Sequence, residues 1–206
     1  KKIFVVHYLS NDEDVINELS EQGQNKQVNQ LANLTTEVVV FAGCKVIVGE
    51  DFLNKHTVIN IHYSLLPKYR GLHSTAWAIM NGEEELGLSV HLMNLFIDDG
   101  DIIHQKSFKN KNNSTATDYM QIMNGYIEKN LGEIVVKFKN KEIIPIPQDK
   151  SEASWVGKRS EKHNFIDFNM DNTYLQRLVR VLSPPYPLPK ILHKGVRTNW
   201  GNINMF

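Results

Sequence analysis

The sequence predicts an α/β domain built on a parallel sheet with crossover helices, and three features carry that prediction. Short apolar, β-branched runs recur at Lys2-Ile3-Phe4-Val5-Val6, Glu37 to Phe41 and Thr57 to Ile61, the look of buried strands. Helical signals fall between them, and strand, helix, strand, short helix, strand is the order of βαβ units. The 206 residues suffice for one such domain at residues 1–150, followed by a small helix and strand extension at 151–206.

The elements follow in chain order. After the first strand, Ser10-Asn11-Asp12 offers a cap for a helix whose apolar face is Val15, Ile16 and Leu19. The second strand ends at Ala42-Gly43, and a short helical connection around Asp51-Phe52-Leu53 leads to the third. Thr75 to Met80 reads as a helix closed by Gly82. Leu88 to Met93 and Ile102 to Phe108 read as strands, with Asp98-Asp99-Gly100-Asp101 as the turn between them. A long helix from Thr117 to Lys137 carries Tyr119, Ile122, Met123, Tyr126, Ile127, Leu131 and Ile134 at helical spacing, a core stripe. Ile143 to Ile146 reads as an edge strand, because Pro145 and Pro147 cannot donate to a ladder. A last helix near Asn172 to Leu182 is stopped by Pro184-Pro185.

Composition excludes several classes of partner. Hydrophobic residues make up 41% and charged residues 22%, with Lys plus Arg equal to Asp plus Glu at 23 each. No net field favours nucleic acid or an anionic membrane. The single cysteine, Cys44, cannot form an intrachain disulfide, which fits a reducing compartment. The N-terminus opens on a strand-like run without a signal-peptide layout, and no apolar stretch is long enough to span a bilayer. The expectation is a cytoplasmic protein.

Ligands of parallel α/β sheets bind outside the carboxyl ends of the strands, so chemistry is sought after Val6, Phe41 and Ile61. The informative run is Asn60-Ile61-His62-Tyr63-Ser64-Leu65-Leu66-Pro67-Lys68-Tyr69-Arg70-Gly71. Residues two apart on a strand share a face, so Asn60 and His62 project together. They offer a donor for a developing oxyanion and a group that moves protons near neutral pH. Asp98 is the carboxylate that would raise the proton affinity of the histidine and order a water. Taken alone, His62 also reads as a structural or surface histidine, and Asp98-Asp99-Gly100-Asp101 as a plain turn. A calcium loop needs further acidic ligands that are missing here, so no metal is expected.

Asn60 to Gly71, Trp77-Ala78-Ile79 with Asn81-Gly82-Glu83, Gly87-Leu88-Ser89-Val90-His91 and Asp98-Asp99-Gly100-Asp101 together resemble the folate-dependent formyltransferase family. The resemblance implies a Rossmann-like domain, N10-formyltetrahydrofolate as formyl donor, and Asn60, His62 and Asp98 as catalytic residues. It also implies a folate slot between Phe41-Ala42-Gly43-Cys44 and Leu95-Phe96-Ile97, although Phe41 and Phe96 also read as simple core packing.

Three branches of that family differ in the residues they require. The branch acting on glycinamide ribonucleotide binds phosphate in a Gly-rich turn, whereas His7-Tyr8-Leu9-Ser10-Asn11 contains no glycine. The branch acting on initiator tRNA carries a further barrel domain and basic surface, for which a neutral chain of this length has no room. Ser154-Trp155-Val156-Gly157-Lys158-Arg159, Ile166-Asp167-Phe168 and Leu178 to Pro187 resemble the C-terminal blocks of sugar-nucleotide formyltransferases. The tRNA branch has related blocks and the purine branch does not, so length together with these blocks selects the sugar branch. The expected acceptor is therefore a nucleotide-linked amino sugar, dTDP-4-amino-4,6-dideoxyglucose or its 3-amino isomer. Lys68, Arg70, Lys158 and Arg159 are the candidate partners of its diphosphate. Tyr186 is placed near the base or in a dimer contact. The apolar edge at Ile143 to Ile146 and the run Pro184-Pro185-Tyr186-Pro187 suggest a two-fold homodimer.

Overall fold

The computed structural model describes residues 3–7, 37–42, 48–167, 169–182, 189–193 and 196–199. The expected helix at residues 10–19, the turn after the first strand, and Gly43, Cys44, Pro184, Pro185 and Tyr186 lie outside the described residues.

Five strands form the main sheet: β1 (Ile3–His7), β2 (Val38–Ala42), β3 (Thr57–His62), β5 (Glu85–Leu92) and β6 (Ile102–Lys109), in the order β1-β2-β3-β5-β6. The pairs β1·β2 and β2·β3 are parallel, as expected. The pairs β3·β5 and β5·β6 are antiparallel, so the sheet is mixed rather than wholly parallel. The connection from β5 to β6 is too short for a parallel crossover, which needs about a dozen residues or more, and it reverses the chain.

Strand alternation sorts the core. Val38, Val40, Ala42, Ile59, Ile61, Leu86, Leu88 and Val90 belong to one buried cluster with α2 (Ser74–Asn81), α3 (Ala116–Lys139) and α4 (Asn172–Val181). Val39, Phe41 and Val58 belong to a second cluster, with Phe52 and Leu53 of α1 (Glu50–Lys55) packed against it. Asn60 and His62 follow Val58 at intervals of two. They continue the second face where its apolar cover ends.

Helix α3 starts at a capping box, Thr115 with Asp118, and carries Lys137 and Lys139 in its last turn, both favourable for the backbone dipole. Tyr119, Met123, Ile127 and Ile134 of its predicted stripe are buried, but Ile122 is 46% exposed. One residue before Met123, it points roughly 100° away around the helix. Met123 is fully buried in the main cluster, so Met123→Ala is expected to destabilise the fold by about 2–5 kcal/mol. The shift of the urea midpoint at unchanged slope measures it.

The segment after residue 150 joins the same core. Strand β7 (Trp155–Val156) pairs with β4 (Arg70–Gly71), and Ile166, Leu178, Val181 and Leu182 lie in the main cluster. Strands β8 (Phe165–Ile166), β9 (Lys190–His193) and β10 (Val196–Asn199) form a three-stranded sheet. The edge strand expected at Ile143 to Ile146 reduces to a single bridge between Ile102 and Ile146, since Pro145 and Pro147 lack the donors that would extend it. Ile144 and Ile146 are exposed. No helix of the described residues is long and apolar enough to cross a membrane.

Candidate active site

Asp98 is the point on which the site converges. Its Oδ2 lies 3.4 Å from His62 Nδ1 and its Oδ1 accepts from Asn60 Nδ2 at 3.4 Å. The structure thus brings together the amide, imidazole and carboxylate that strand spacing and the turn had singled out. The Gly71 N–H donates to Asp98 Oδ2 at 2.8 Å. Gly71 has φ +102°, and a Cβ there would lie 2.3 Å from the Val156 carbonyl oxygen. Only glycine can present that N–H to the carboxylate in this place.

A second imidazole belongs to the cluster. His91 stands opposite Asn60 in the β3·β5 ladder, so the two side chains share a face. Its Nδ1 is 2.8 Å from the Leu92 carbonyl oxygen, which can only accept, and this makes Nδ1 the protonated nitrogen of the neutral ring. Nε2 then accepts from Asn60 Nδ2 at 3.2 Å, and it lies 3.6 Å from Asp98 Oδ1. Asn60 Oδ1 is buried and has no hydrogen-bond partner among the described residues. His91 was visible in the sequence as part of Gly87 to His91; its place beside Asn60 depends on strand order, which local pattern does not encode.

The tautomer of His62 is set in the same way. Tyr69, in a left-handed conformation with φ +61°, turns its carbonyl to within 2.8 Å of His62 Nε2. Nε2 therefore carries the proton of the neutral ring, and Nδ1 offers a lone pair toward Asp98. Burial pushes His62 below the ordinary imidazole range, and this outweighs the raising effects of Asp98 and of the Tyr69 bond. This corrects the expectation that Asp98 raises the histidine: it does so, but burial wins. For Asp98, burial alone would raise the carboxyl, yet the neighbouring imidazoles of His91 and His62 and the Gly71 N–H hold it below the usual carboxylate range. At neutral pH the resting pair is neutral His62 and ionised Asp98.

The expected cationic partners divide into two groups. Lys68 and Lys158 are exposed. Arg70 is only 3% exposed, donating from Nη1 to Asp99 at 2.5 Å and from Nε and Nη2 to Gln148 Oε1 at 3.2 and 2.7 Å. Arg159 is also buried, with Nη1 donating to the Val181 carbonyl at the end of α4 and Nη2 to Asn164 Oδ1. Both guanidinium groups are committed to internal acceptors, so the diphosphate role expected for Arg70 and Arg159 is withdrawn.

The expected folate residues divide as well. Phe41 is buried among Val39, Val48 and Val58, so it packs the core and does not line an opening, and Ala42 is buried in the main cluster. Leu95, Phe96 and Ile97 are exposed, Phe96 by 71%. They form an apolar surface directly before Asp98, and such a surface fits a flat heterocycle. Gly43, Cys44 and Tyr186 lie outside the described residues. Trp155 is exposed as well, one face 5.3 Å from the Arg70 guanidinium carbon.

An amide, two imidazoles and an ionised carboxylate at the carboxyl end of a parallel strand define an α/β protein equipped to move protons at a polar centre. Residues 4–134 match the Formyl transferase family, and the chain belongs to that family. Methionyl-tRNA formyltransferase of Clostridium novyi is 30% identical over 181 residues, 85% of this chain and 58% of that protein. The chain spans little more than half the length of the curated relatives it matches. A 4-N formyltransferase from Francisella tularensis superposes with a TM-score of 0.73 at 18% identity, covering 97% of this chain and 96% of that one. HypX from Aquifex aeolicus, crystallised with tetrahydrofolic acid, gives 0.72 at 16% identity over 95% of this chain and 36% of that one. At these identities the superpositions show a shared fold.

Proposed function

We propose that the chain transfers a formyl group from N10-formyltetrahydrofolate to the primary amine of a nucleotide-linked amino sugar, of the dTDP-4-amino-4,6-dideoxyglucose type. The carrying observation is the pair His62 Nδ1 and Asp98 Oδ2, two acceptors 3.4 Å apart, with the ring proton held away on Nε2 by Tyr69. Two acceptors facing each other seat a group that brings hydrogens, and a primary amine brings two.

The folate supplies the formyl group. Leu95, Phe96 and Ile97 offer its ring system an apolar surface, and the buried Asn60 Oδ1 is an acceptor awaiting a donor. His62 Nδ1 takes a proton from the amine as its nitrogen attacks the formyl carbon, Asp98 stabilises the resulting imidazolium, and the proton passes to the folate N10 as the bond between N10 and the formyl carbon breaks. Asn60 Nδ2 donates to the formyl oxygen as it gains negative charge. Its 3.4 Å bond to Asp98 is the longer of its two contacts and the one readily exchanged, while the His91 contact keeps the amide oriented. Lys68 and Lys158 are the cations we assign to the diphosphate.

Support for a sugar nucleotide comes from a further structure that shares the fold, a sugar N-formyltransferase from Shewanella, at a TM-score of 0.69 and 19% identity. It also comes from the balance of 23 basic and 23 acidic residues, which offers no field for a tRNA backbone. The second reading, a methionyl-tRNA acceptor, is favoured by the curated relatives. Tetrahydrofolate release, followed with dTDP-, UDP- and GDP-linked amino sugars and with methionyl-tRNA, separates them. Release with a dTDP-amino sugar is the expected result. Release with methionyl-tRNA alone would establish the second reading, and none with any amine would overturn formyl transfer.

A further inference from the structure

The buried side chains of Gln148 and Arg70 are unexplained by any ligand role and surround the loop that carries Asp98. Gln148 lies 50 residues beyond Asp98 in the chain, and its Nε2 donates to the Asp98 and Gly100 carbonyls at 2.9 and 2.7 Å. Its Oε1 receives both Nε and Nη2 of Arg70, and Arg70 Nη1 holds the Asp99 carboxylate. Residues 98, 99 and 100 are therefore each bonded by one member of the Gln148–Arg70 pair.

This loop needs outside support. Asp98 has φ +51°, a left-handed conformation in which a residue with a Cβ is strained. A Cβ on Gly100 would stand 1.9 Å from the Leu92 carbonyl oxygen, so the loop also runs hard against β5. Without external bonds the backbone at 98 would relax to an ordinary conformation and swing its carboxylate away from His62 and Asn60.

We propose that Gln148 and Arg70 are positioning residues that hold the Asp98 carboxylate on His62 and Asn60, and that Arg70 does not bind substrate. The proposal rests on the formyl-transfer reading for its kinetic arm only. The chemistry at 148 is specific: an amide supplies two N–H groups for two carbonyls and an acceptor oxygen for the guanidinium. Glutamate has the same shape but presents only acceptors to the two carbonyls, and alanine leaves carbonyls and guanidinium unpaired. Asparagine keeps the amide but withdraws it by one methylene.

The test uses Gln148→Glu, Gln148→Asn and Arg70→Lys in the full chain, with circular dichroism to confirm the fold. For Gln148→Glu, kcat is expected to fall by about 10–10², the scale of a displaced catalytic group, with KM for the amino-sugar nucleotide within about twofold. Gln148→Asn should lose less than Gln148→Glu. Proton NMR of the His62 ring against pH reads the same loop without turnover. Asp98 is the neighbouring charge that raises His62, so in Gln148→Asn, which adds no charge of its own, its displacement should move the His62 titration lower. A folded Gln148→Glu protein with kcat within twofold of wild type would overturn the proposal. So would an unchanged His62 titration in Gln148→Asn, or an Arg70→Lys protein that raises KM tenfold at constant kcat. If wild type forms no formyl product, the functional reading fails, and the His62 titration alone still decides the positioning role.

Discussion

Replacing His62 by asparagine is expected to lower kcat of the proposed formyl transfer by about 10²–10⁴, the range for a general acid–base group, while KM for the amino-sugar nucleotide stays nearly constant. The asparagine amide falls at the place of Nδ1 and not of Nε2, so the buried contact to the Tyr69 carbonyl at 2.8 Å is lost, and circular dichroism should accompany the kinetics to show that the fold survives. What asparagine cannot do is take a proton and later return it to the departing nitrogen. The pH dependence carries the same assignment. His62 must be neutral to accept a proton, and burial lowers its proton affinity. The acid limb of kcat should therefore lie below the ordinary imidazole value of about 6.5, with a plateau above it. Asp98 is held below the usual carboxylate range and stays ionised across that window. Asp98→Asn removes the charge that raises His62, so the acid limb should move to still lower pH as the plateau falls. Combined with His62→Asn, it should add little, because both act on one proton path. A His62→Asn protein with near wild-type turnover would remove the mechanism.

The same shift bears on stability. A histidine whose folded proton affinity is depressed leaves the unfolded chain binding more protons below its own value of about 6.5. The contribution is complete above that pH and is lost as pH falls through the folded value of His62. Asp98 contributes in the same direction at lower pH, since its folded affinity is also depressed. Acidification therefore weakens the fold and silences the site through the same residues.

Much of the site was legible because strand geometry is local. The period of two puts Asn60 and His62 on one face, and both do reach Asp98. The turn at Asp98-Asp99-Gly100-Asp101 was legible from its residue types, and a turn that short between two strands implies the antiparallel pair that the structure contains. The parallel pairing expected from the first three runs holds for β1, β2 and β3, and the antiparallel pairs lie beyond it. The errors fall where tertiary neighbours decide. Lys68 and Arg70 are alike in sequence, two cations after a catalytic strand, yet one is exposed and the other buried between Asp99 and Gln148. No local pattern distinguishes them, because Gln148 arrives from beyond α3. Phe41 alternates correctly with Val39, but whether that face meets a ligand or α1 depends on how the helix folds back. His91 was legible as a residue and illegible as a partner until β5 was seen beside β3.

The carboxamide of Asn60 can be separated from the proton path. Asn60→Ala is expected to lower kcat by about 10²–10³, the cost of removing one donor from a developing oxyanion. Its pH profile should keep the wild-type shape, because neither His62 nor Asp98 is replaced. The donor hydrogen must come from Nδ2, which is shared between His91 Nε2 at 3.2 Å and Asp98 Oδ1 at 3.4 Å. Asn60→Asp is the sharper variant: it keeps the size, removes the N–H group and sets a second carboxylate against Asp98. Two carboxylates that close cannot both stay ionised without cost, so one should take up a proton near neutral pH. The loss in kcat should then exceed that of Asn60→Ala above neutral pH and partly recover on acidification, as the protonated carboxyl becomes a donor. That recovery must occur before His62 protonates, which confines it to a narrow band above the acid limb. A flat ratio of the two variants across pH would show that the side chain at 60 does not face the Asp98 carboxylate during turnover, and the donor role would pass to another group.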